Sequence, residues 1–371
     1  AHLFAVESSY GGPNGFKQFV RAAHQHGIGV ILDVVYNHFG PSDLNLWQFD
    51  GWSENGLGGI YFYNDWRSET PWGNTRPDYG RGEVRQYIRD NALMWLEEYH
   101  VDGLRMDMTL YMRNVYPGLD LPEGWSLAQW LNLEISARYP GRITIAEDLQ
   151  HNEWLTKAVE WGGAGYGAQW DSNFVHPIRA SVIAADDRSR SMFAVRDALC
   201  YSYNGDPFQR VVYSESHDEV ANGKARVPSE IDPTDPHDYY AQKRSSLAAG
   251  LGCTAPGIPM LFEGQEFLEG GWFRDDVPID WHLNEEFQGI VRLYRDLIGL
   301  RLNRGGDSRG LCGRNINVYH LNDPQDLLAF HRWDKGGPGD DVIVLVNLSA
   351  EAKDGYAVGF PREGRWQLRL N

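Results

Sequence analysis

The segment 102–107 ends a short apolar run with an arginine and a carboxylate that are two residues apart, Arg105 and Asp107. If the run is a β-strand, both side chains lie on the same face, because strand side chains alternate with a period of two. The cation then favours the ionised form of the Asp107 carboxyl group. Such a carboxylate at the end of a buried strand can act as the nucleophile of covalent catalysis. Taken alone, the pattern also fits a structural ion pair.

Three further segments combine an apolar run with acids and histidines at its carboxyl end. They are 27–38, with Asp33, Asn37 and His38; 143–148, with Glu147 and Asp148; and 210–219, with His217, Asp218 and Glu219. Apolar residues at helical spacing occupy 83–99, 127–139 and 238–251. Alternating strands and helices predict a parallel α/β fold. Polar side chains at the carboxyl ends of several strands predict a (β/α)8 barrel.

These four segments resemble the four ordered signature regions of the α-amylase family, glycoside hydrolase family 13. The matching stretches are Asp33-Val34-Val35-Tyr36-Asn37-His38, Gly103-Leu104-Arg105-Met106-Asp107, Ala146-Glu147-Asp148 and Ser216-His217-Asp218-Glu219. The resemblance is colinear and covers most of the chain. It implies that Asp107 is the nucleophile, Glu147 the general acid/base and Asp218 the aspartate that stabilises the transition state. It further implies that His38, Arg105 and His217 contact the reacting sugar and that Asp33 braces Arg105.

The physical requirements of a retaining glycosidase agree with this division of roles. Such an enzyme needs two carboxyl groups about 5–5.5 Å apart with different protonation states, so we expect roughly 5–6 Å between those of Asp107 and Glu147. Arg105 keeps Asp107 ionised, whereas Glu147 must start protonated and therefore needs dry surroundings or nearby negative charge. Asp218 supplies such a charge, and clustered carboxylates favour a cationic transition state.

Composition restricts the classes of partner. The net charge of −17 argues against a nucleic-acid backbone as partner. A neutral α-1,4-glucan such as glycogen, starch or a maltooligosaccharide needs no matching charge. The 14 Trp and 19 Tyr residues include several that lie in predicted loops, where aromatic rings can stack on sugar faces, although core packing is the usual role of such residues.

The cysteines and the hydropathy pattern indicate a cytoplasmic protein with no membrane span. Cys200, Cys253 and Cys312 are scattered, which fits neither a disulfide framework nor a zinc motif. No apolar run reaches about 18 residues, and no signal peptide is visible at the start of the chain. We expect no cofactor and no metal. Asn37 could bind calcium as in many α-amylases, but the sequence shows no matching acidic cluster, so a hydrogen-bonding role is favoured.

The order of the elements predicts a barrel that is incomplete at its N-terminus. In the family the signature that contains Asp33 belongs to the third strand, and only a helix at about 13–26 precedes it, so two strands are expected from a longer protein or another chain. We predict a barrel domain at 1–304, which includes a variable loop at about 37–82. Further strands are predicted at 168–171 and 257–262. Residues 305–371 are predicted to form an antiparallel C-terminal β-sandwich domain, cut short, with a hairpin-like connection at 335–339.

The choice of sugar acceptor stays open at the level of sequence. A non-catalytic relative is disfavoured because all three acids are present. Glu219-Val220, Gly223-Lys224 and 280–283 resemble bacterial glycogen-branching enzymes, which predicts a 1,4-α-glucan branching transglycosylase. Met108-Thr109 and Asp148-Leu149 depart from the branching pattern, and Thr70-Pro71-Trp72-Gly73 is shared with maltooligosyltrehalose hydrolases. An α-amylase-type or trehalohydrolase-type hydrolase is therefore the alternative.

Overall fold

The computed structural model describes residues 3–40 and 46–371 of the protein. The chain divides into two units, Ala1–Trp170 and Asp171–Asn371. Residues 41–45, which belong to the predicted variable loop, lie outside the described residues. The predicted domain boundary at 304/305 stays a prediction.

The first unit contains a parallel sheet with helices between its strands. Its strands are β1 (Ile31–Val34), β2 (Gly103–Met106), β3 (Asn114–Tyr116), β4 (Leu119–Asp120), β5 (Ile143–Ala146) and β6 (Ala168–Trp170). Its helices are α1 (Gly12–Gln25), α2 (Gly82–Glu97), α3 (Leu110–Arg113) and α4 (Pro122–Arg138). The parallel order is β1–β2–β5–β6, while β3 and β4 form a separate antiparallel pair. The strand predicted at 168–171 is thereby confirmed as β6.

The central strand β2 is buried along its whole length. Gly103 is required there, because a Cβ atom at this position would lie 2.5 Å from the carbonyl oxygen of Ile143 on β5. The close approach keeps β2 and β5 in register, with Gly103 opposite Ile143 and Arg105 opposite Ile145. On the other side Arg105 is opposite Asp33 of β1. The register therefore brings polar residues of neighbouring strands together.

The loop that follows β1 is fixed to the rest of the first unit by Arg76. This side chain is fully buried. Its donors reach the carbonyl oxygens of Arg67 at 2.7 Å, Asn114 at 2.9 Å and Val115 at 2.8 Å, and also that of Tyr111. Burial lowers the pKa of Arg76, and five hydrogen bonds to main-chain carbonyls hold its guanidinium. One side chain thus joins the loop to α3 and β3.

The second unit contains a parallel strand pair and an antiparallel sheet. Its strands are β7 (Arg210–Val212), β8 (Ile258–Pro259), β9 (Asn315–Asn322), β10 (Leu327–Trp333) and β11 (Val342–Asn347). Its helices are α5 (Ser172–Ile183), α6 (Met192–Cys200), α7 (Val227–Ile231), α8 (Tyr239–Thr254), α9 (His282–Glu286) and α10 (Gln288–Arg301). β7 and β8 are parallel, and β10 lies antiparallel between β9 and β11.

The antiparallel sheet confirms the hairpin predicted around 335–339, because Leu327 of β10 is opposite Asn347 of β11. Strand β9 was not predicted. The strand predicted at 257–262 is present but is only two residues long. Among the described residues, no helix has the length and apolar character needed to cross a membrane.

Candidate active site

The guanidinium of Arg105 is the centre of an acidic cluster in the first unit. Its Nη1 donates to the two carboxylate oxygens of Asp33 at 2.7 and 2.8 Å and to Oδ1 of Asp107 at 2.8 Å. Its Nη2 lies 3.0 Å from Oε2 of Glu147. These acids lie on β1 or directly after β2 and β5. The predicted pairing of Arg105 with Asp107 and its bracing by Asp33 are both confirmed.

The environment of Arg105 keeps it positively charged. The side chain is only 5% exposed. Burial by itself lowers the pKa of Arg105, but the carboxylates of Glu147, Asp33 and Asp107 outweigh this effect and leave the pKa above its ordinary value. The ring of Trp170 on β6 lies 4.3 Å from Cζ and adds a cation–π contact. No pattern in the sequence predicts this contact.

Asp107 is held by a second donor in addition to Arg105. The side-chain amide of Asn37 donates to Oδ2 and to the main-chain oxygen of Asp107, both at 2.8 Å. The Asp107 N–H donates to the carbonyl of Val34 at 2.9 Å. These hydrogen bonds fix the orientation of the Asp107 carboxyl group, as the attack by a nucleophile requires. Asn37 is fully buried and makes hydrogen bonds here. Within residues 3–40 and 46–371 no group of three or more His, Cys, Asp or Glu side chains could hold a metal ion.

Glu147 is fully buried at the end of β5. Its Oε2 accepts from the N–H of Met108 at 2.8 Å and faces Arg105. Burial favours the protonated acid, whereas the Met108 N–H and the positive charge of Arg105 favour the carboxylate. Dry surroundings, as the sequence predicts for a general acid, are therefore combined with a cation that Glu147 shares with Asp107. The separation between the two carboxyl groups stays a prediction.

His38 connects Asp107 to an aromatic residue of the loop. Its Nδ1 lies 2.5 Å from Oδ1 of Asn37, the same residue that binds Asp107. Its ring stacks on Trp72, with a centroid separation of 4.4 Å and an interplanar angle of 10°. Burial lowers the pKa of His38 and outweighs the opposing effect of Asp107, so the imidazole is neutral at pH 7. Trp72 is 45% exposed and thus presents an aromatic surface beside the cluster.

His217 and Asp218 lie in the second unit after β7. Nε2 of His217 is 3.4 Å from Oδ2 of Asp218, and the two side chains are 38% and 47% exposed. The neighbouring acid Glu215 is fully buried and accepts from the N–H of Val227 at 2.6 Å. Burial raises the pKa of Glu215. The roles of His217 and Asp218 stay predictions.

Glu219 has a structural environment of its own. Its carboxylate lies 3.0 Å from Nε2 of His176 and 3.1 Å from Nζ of Lys224, with Arg179 at 4.0 Å. Burial raises the pKa of Glu219, but His176 and Lys224 outweigh it and lower the pKa to about 2. Two residues of the branching-like pattern, Glu219 and Lys224, are thus partners in one ion-pair network.

Comparisons with known proteins identify a structural neighbour and a set of curated relatives. A crystal structure of a Salmonella typhimurium protein assigned as an α-amylase has a TM-score of 0.69 to this chain, with 22% identity, and the match covers 94% of this chain and 66% of that one. No protein-family model matches the chain. Curated relatives are similar over its whole length. They include 1,4-alpha-glucan branching enzymes of Xanthomonas oryzae (33% identical, 100% of this chain and 52% of the relative), Rhodospirillum rubrum (32%, 100% and 51%) and Oceanobacillus iheyensis (30%, 99% and 59%).

Over its whole length the chain is similar to proteins named 1,4-alpha-glucan branching enzymes. Its fold is the predicted (β/α)8-barrel type followed by an antiparallel β-domain, as the structural likeness shows. The chain spans about half the length of the curated relatives it matches.

One group of interacting residues near the site was not predicted from the sequence. Thr109, Arg113 and Asp148 contact one another directly behind Asp107 and Glu147. Thr109 and Asp148 are two of the positions at which the sequence departs from the branching pattern. That departure was the available signal, but the partner Arg113 on α3 could be found only from the structure.

Proposed function

We propose that the protein is a retaining α-glucan-active enzyme, and specifically a 1,4-α-glucan branching transglycosylase. The observation that carries this proposal is the single buried guanidinium of Arg105 that contacts Asp33, Asp107 and Glu147. Two of these acids are the pair that the family resemblance assigns to covalent sugar transfer. The similarity to proteins named branching enzymes supports the choice of reaction.

In the first step, a carboxylate oxygen of Asp107 attacks the anomeric carbon of a glucan bound in the site. The glycosidic C–O bond breaks, and the departing oxygen takes the proton of Glu147. The product is a glucosyl ester of Asp107. Arg105 and Asn37 hold the Asp107 carboxylate in one orientation before the attack, which reduces the entropic barrier. The resemblance gives Asp218 the role of stabilising the cationic transition state, which stays a prediction.

In the second step, an acceptor oxygen attacks the anomeric carbon and the ester bond to Asp107 breaks. Glu147 now takes the proton of the acceptor. When the acceptor is the 6-hydroxyl of a glucan, the product is an α-1,6 branch. When it is water, the product is a new reducing end. An acceptor site that positions a sugar hydroxyl gives it a large effective concentration over water.

The hydrolase alternative is favoured by one observation. Trp72 belongs to the segment 70–73 that is shared with maltooligosyltrehalose hydrolases, and its ring stacks on the predicted sugar ligand His38. The segment is thus part of the surroundings of the site. A non-catalytic glucan-binding role is less well supported, because Asp107 and Glu147 are both present and buried or half-buried on one cation.

The proposal is tested by incubating the protein with amylose and measuring reducing ends and isoamylase-sensitive branch points in the same samples. We expect branches to accumulate with few new reducing ends. Continuous release of reducing ends without branches contradicts the transferase and leaves the hydrolase. The D107N variant should lose both products. A matched control is D102N, because Asp102 lies at the opposite end of the same strand and pairs with His24 and Arg142.

A neutral α-1,4-glucan is the proposed substrate, in the form of glycogen, starch or maltooligosaccharide. The net charge of −17 argues against a nucleic-acid partner. The cytoplasmic location stays a prediction.

A further inference from the structure

Thr109, Arg113 and Asp148 form a hydrogen-bonded network, with Asp148 as the shared partner, next to the two predicted catalytic residues. Asp148 is fully buried. The guanidinium of Arg113 binds it in a bidentate manner, from Nε to Oδ2 and from Nη2 to Oδ1, both at 2.8 Å. The hydroxyl of Thr109 lies 3.2 Å from Oδ2 of Asp148 and 3.0 Å from the carbonyl oxygen of Glu147. The N–H of Thr109 also donates to that carbonyl, at 2.7 Å.

The network lies at the positions that control the orientation of Glu147. Asp148 follows Glu147 in the chain, and Thr109 is the second residue after Asp107. Met108, which lies between Asp107 and Thr109 in the sequence, has a φ of 35° and donates its N–H to Oε2 of Glu147. A non-glycine residue in this left-handed region is strained and persists only when its surroundings hold it. The Thr109 contacts with the Glu147 carbonyl provide that restraint.

We propose that Thr109, Arg113 and Asp148 are positioning residues that set the orientation and the electrostatic surroundings of Glu147. This inference rests on the proposed function only in so far as Glu147 is the acid/base of the reaction, whether the acceptor is a sugar or water. Thr109 fixes the turn that delivers the Met108 N–H. The ion pair of Arg113 and Asp148 adds no net charge beside Glu147, so either partner alone would change its protonation.

Other titratable groups lie near Glu147 and Asp148. On the side of the predicted sugar contacts, Arg105 faces Glu147 directly, Asp33 and Asp107 contact Arg105, and His38 lies near Asp107. Behind the site, Tyr166 is buried near Asp148; burial chiefly, and then Asp148, raises its pKa, so it is neutral. Arg113 is therefore the cation that balances Asp148 among these groups.

The decisive test is the pH dependence of kcat/KM on amylose for D148N, R113M and the double variant. D148N leaves the Arg113 cation uncompensated, which favours ionised Glu147, so the basic limb of the profile should move to lower pH. R113M leaves the Asp148 anion, which favours protonated Glu147, so the limb should move to higher pH. Each shift should be about half a pH unit or more for a charge at this range in a partly buried site. The double variant should return the limb close to its original position.

A merely structural role would lower activity without opposite shifts, and the double variant would not restore the limb. The matched controls are the single variants D171N and R210M. Asp171 and Arg210 form another fully buried ion pair, with Nη1 of Arg210 3.0 Å from Oδ2 of Asp171. These controls should lower the melting temperature and leave the limb unchanged. Equal shifts in the controls, or shifts of the same sign in D148N and R113M, overturn the proposal.

Substitution of Thr109 gives an independent test, because it removes no charge and does not require that D148N folds. T109V should lower kcat by about tenfold with little change in KM, because the acid is misoriented only for the chemical step. T109S, which keeps the hydroxyl, should retain most of the activity. Equal loss in T109S and T109V contradicts the role of the hydroxyl. A wild-type protein that neither cleaves nor branches amylose overturns the proposed function as well, whereas an active wild type with unshifted variants overturns the positioning role alone.

Discussion

The predicted catalytic acids of the first unit and Asp218 of the second unit are held in different ways. Around Arg105, the carboxylates of Asp107 and Glu147 receive fixed donors from neighbouring strands and from Met108. After β7, Asp218 is 47% exposed and its contact with His217 is 3.4 Å long. Substitution of a side chain that is fixed by several neighbours also disturbs those neighbours, whereas substitution of a solvated side chain does not. The first group is thus arranged in advance of substrate, and the second has more freedom to adjust to it.

The largest effect is expected at the nucleophile. D107N keeps the size of the side chain but removes the attacking anion, so kcat should fall by about three orders of magnitude or more. KM should change little, because the lost group acts in the chemical step. Initial rates on amylose measure both parameters. Near-normal turnover would contradict the assignment of Asp107.

The contrast between the two groups is tested by comparing R105M with D218N. R105M leaves Asp33, Asp107 and Glu147 facing one another without their cation, so both kcat and the melting temperature should fall, kcat by about a hundredfold. D218N should lower kcat by a similar factor with the melting temperature nearly unchanged, since its site is half solvated. Thermal unfolding and steady-state kinetics on both variants provide the comparison. A large drop in melting temperature for D218N would remove the distinction.

Trp72 sharpens the comparison on the side of substrate binding. If its exposed ring stacks on a sugar next to His38, W72A should raise KM by about tenfold and change kcat less. W66A is the matched control, because Trp66 is an exposed residue of the same loop, with 59% of its surface accessible. Equal effects of the two substitutions would show that the stacking of Trp72 on His38 has no part in binding.

The smallest effect concerns stability in the second unit. The pKa of Glu219 is lowered from 4.5 to about 2, so its ion pairs stabilise the fold fully above about pH 4.5 and lose this contribution as the pH falls through 2. E219Q should therefore lower the free energy of unfolding by about 1–3 kcal/mol at pH 7. This range is smaller than the full pKa shift implies, because His176 and Lys224 are half exposed and solvent screens their charges. Urea titrations at several pH values should show the difference from the wild type shrinking in acid. A constant difference across this range would contradict the ionic origin.

Local pattern was enough to predict the elements that hold the first site. The alternation of side chains along a strand placed Arg105 beside Asp107, and the family resemblance placed Asp33 beside Arg105. The two-residue strand β8 and the unpredicted strand β9 show the limits of that reading, because pairing partners far apart in sequence decide where a strand begins and ends. Trp170 and Arg113 were missed for the same reason. Their contacts with Arg105 and Asp148 depend on how separate elements pack.

Arg76 has a consequence for protein engineering. Because its guanidinium binds carbonyl oxygens at both 67 and 114–115, the loop after β1 and the segment 110–116 form a single assembly unit. Grafting the loop alone onto a related barrel would separate Arg76 from three of its five carbonyl acceptors and leave its buried charge without them. A chimera that exchanges loop specificity should therefore carry both segments together, although they are more than thirty residues apart in the sequence.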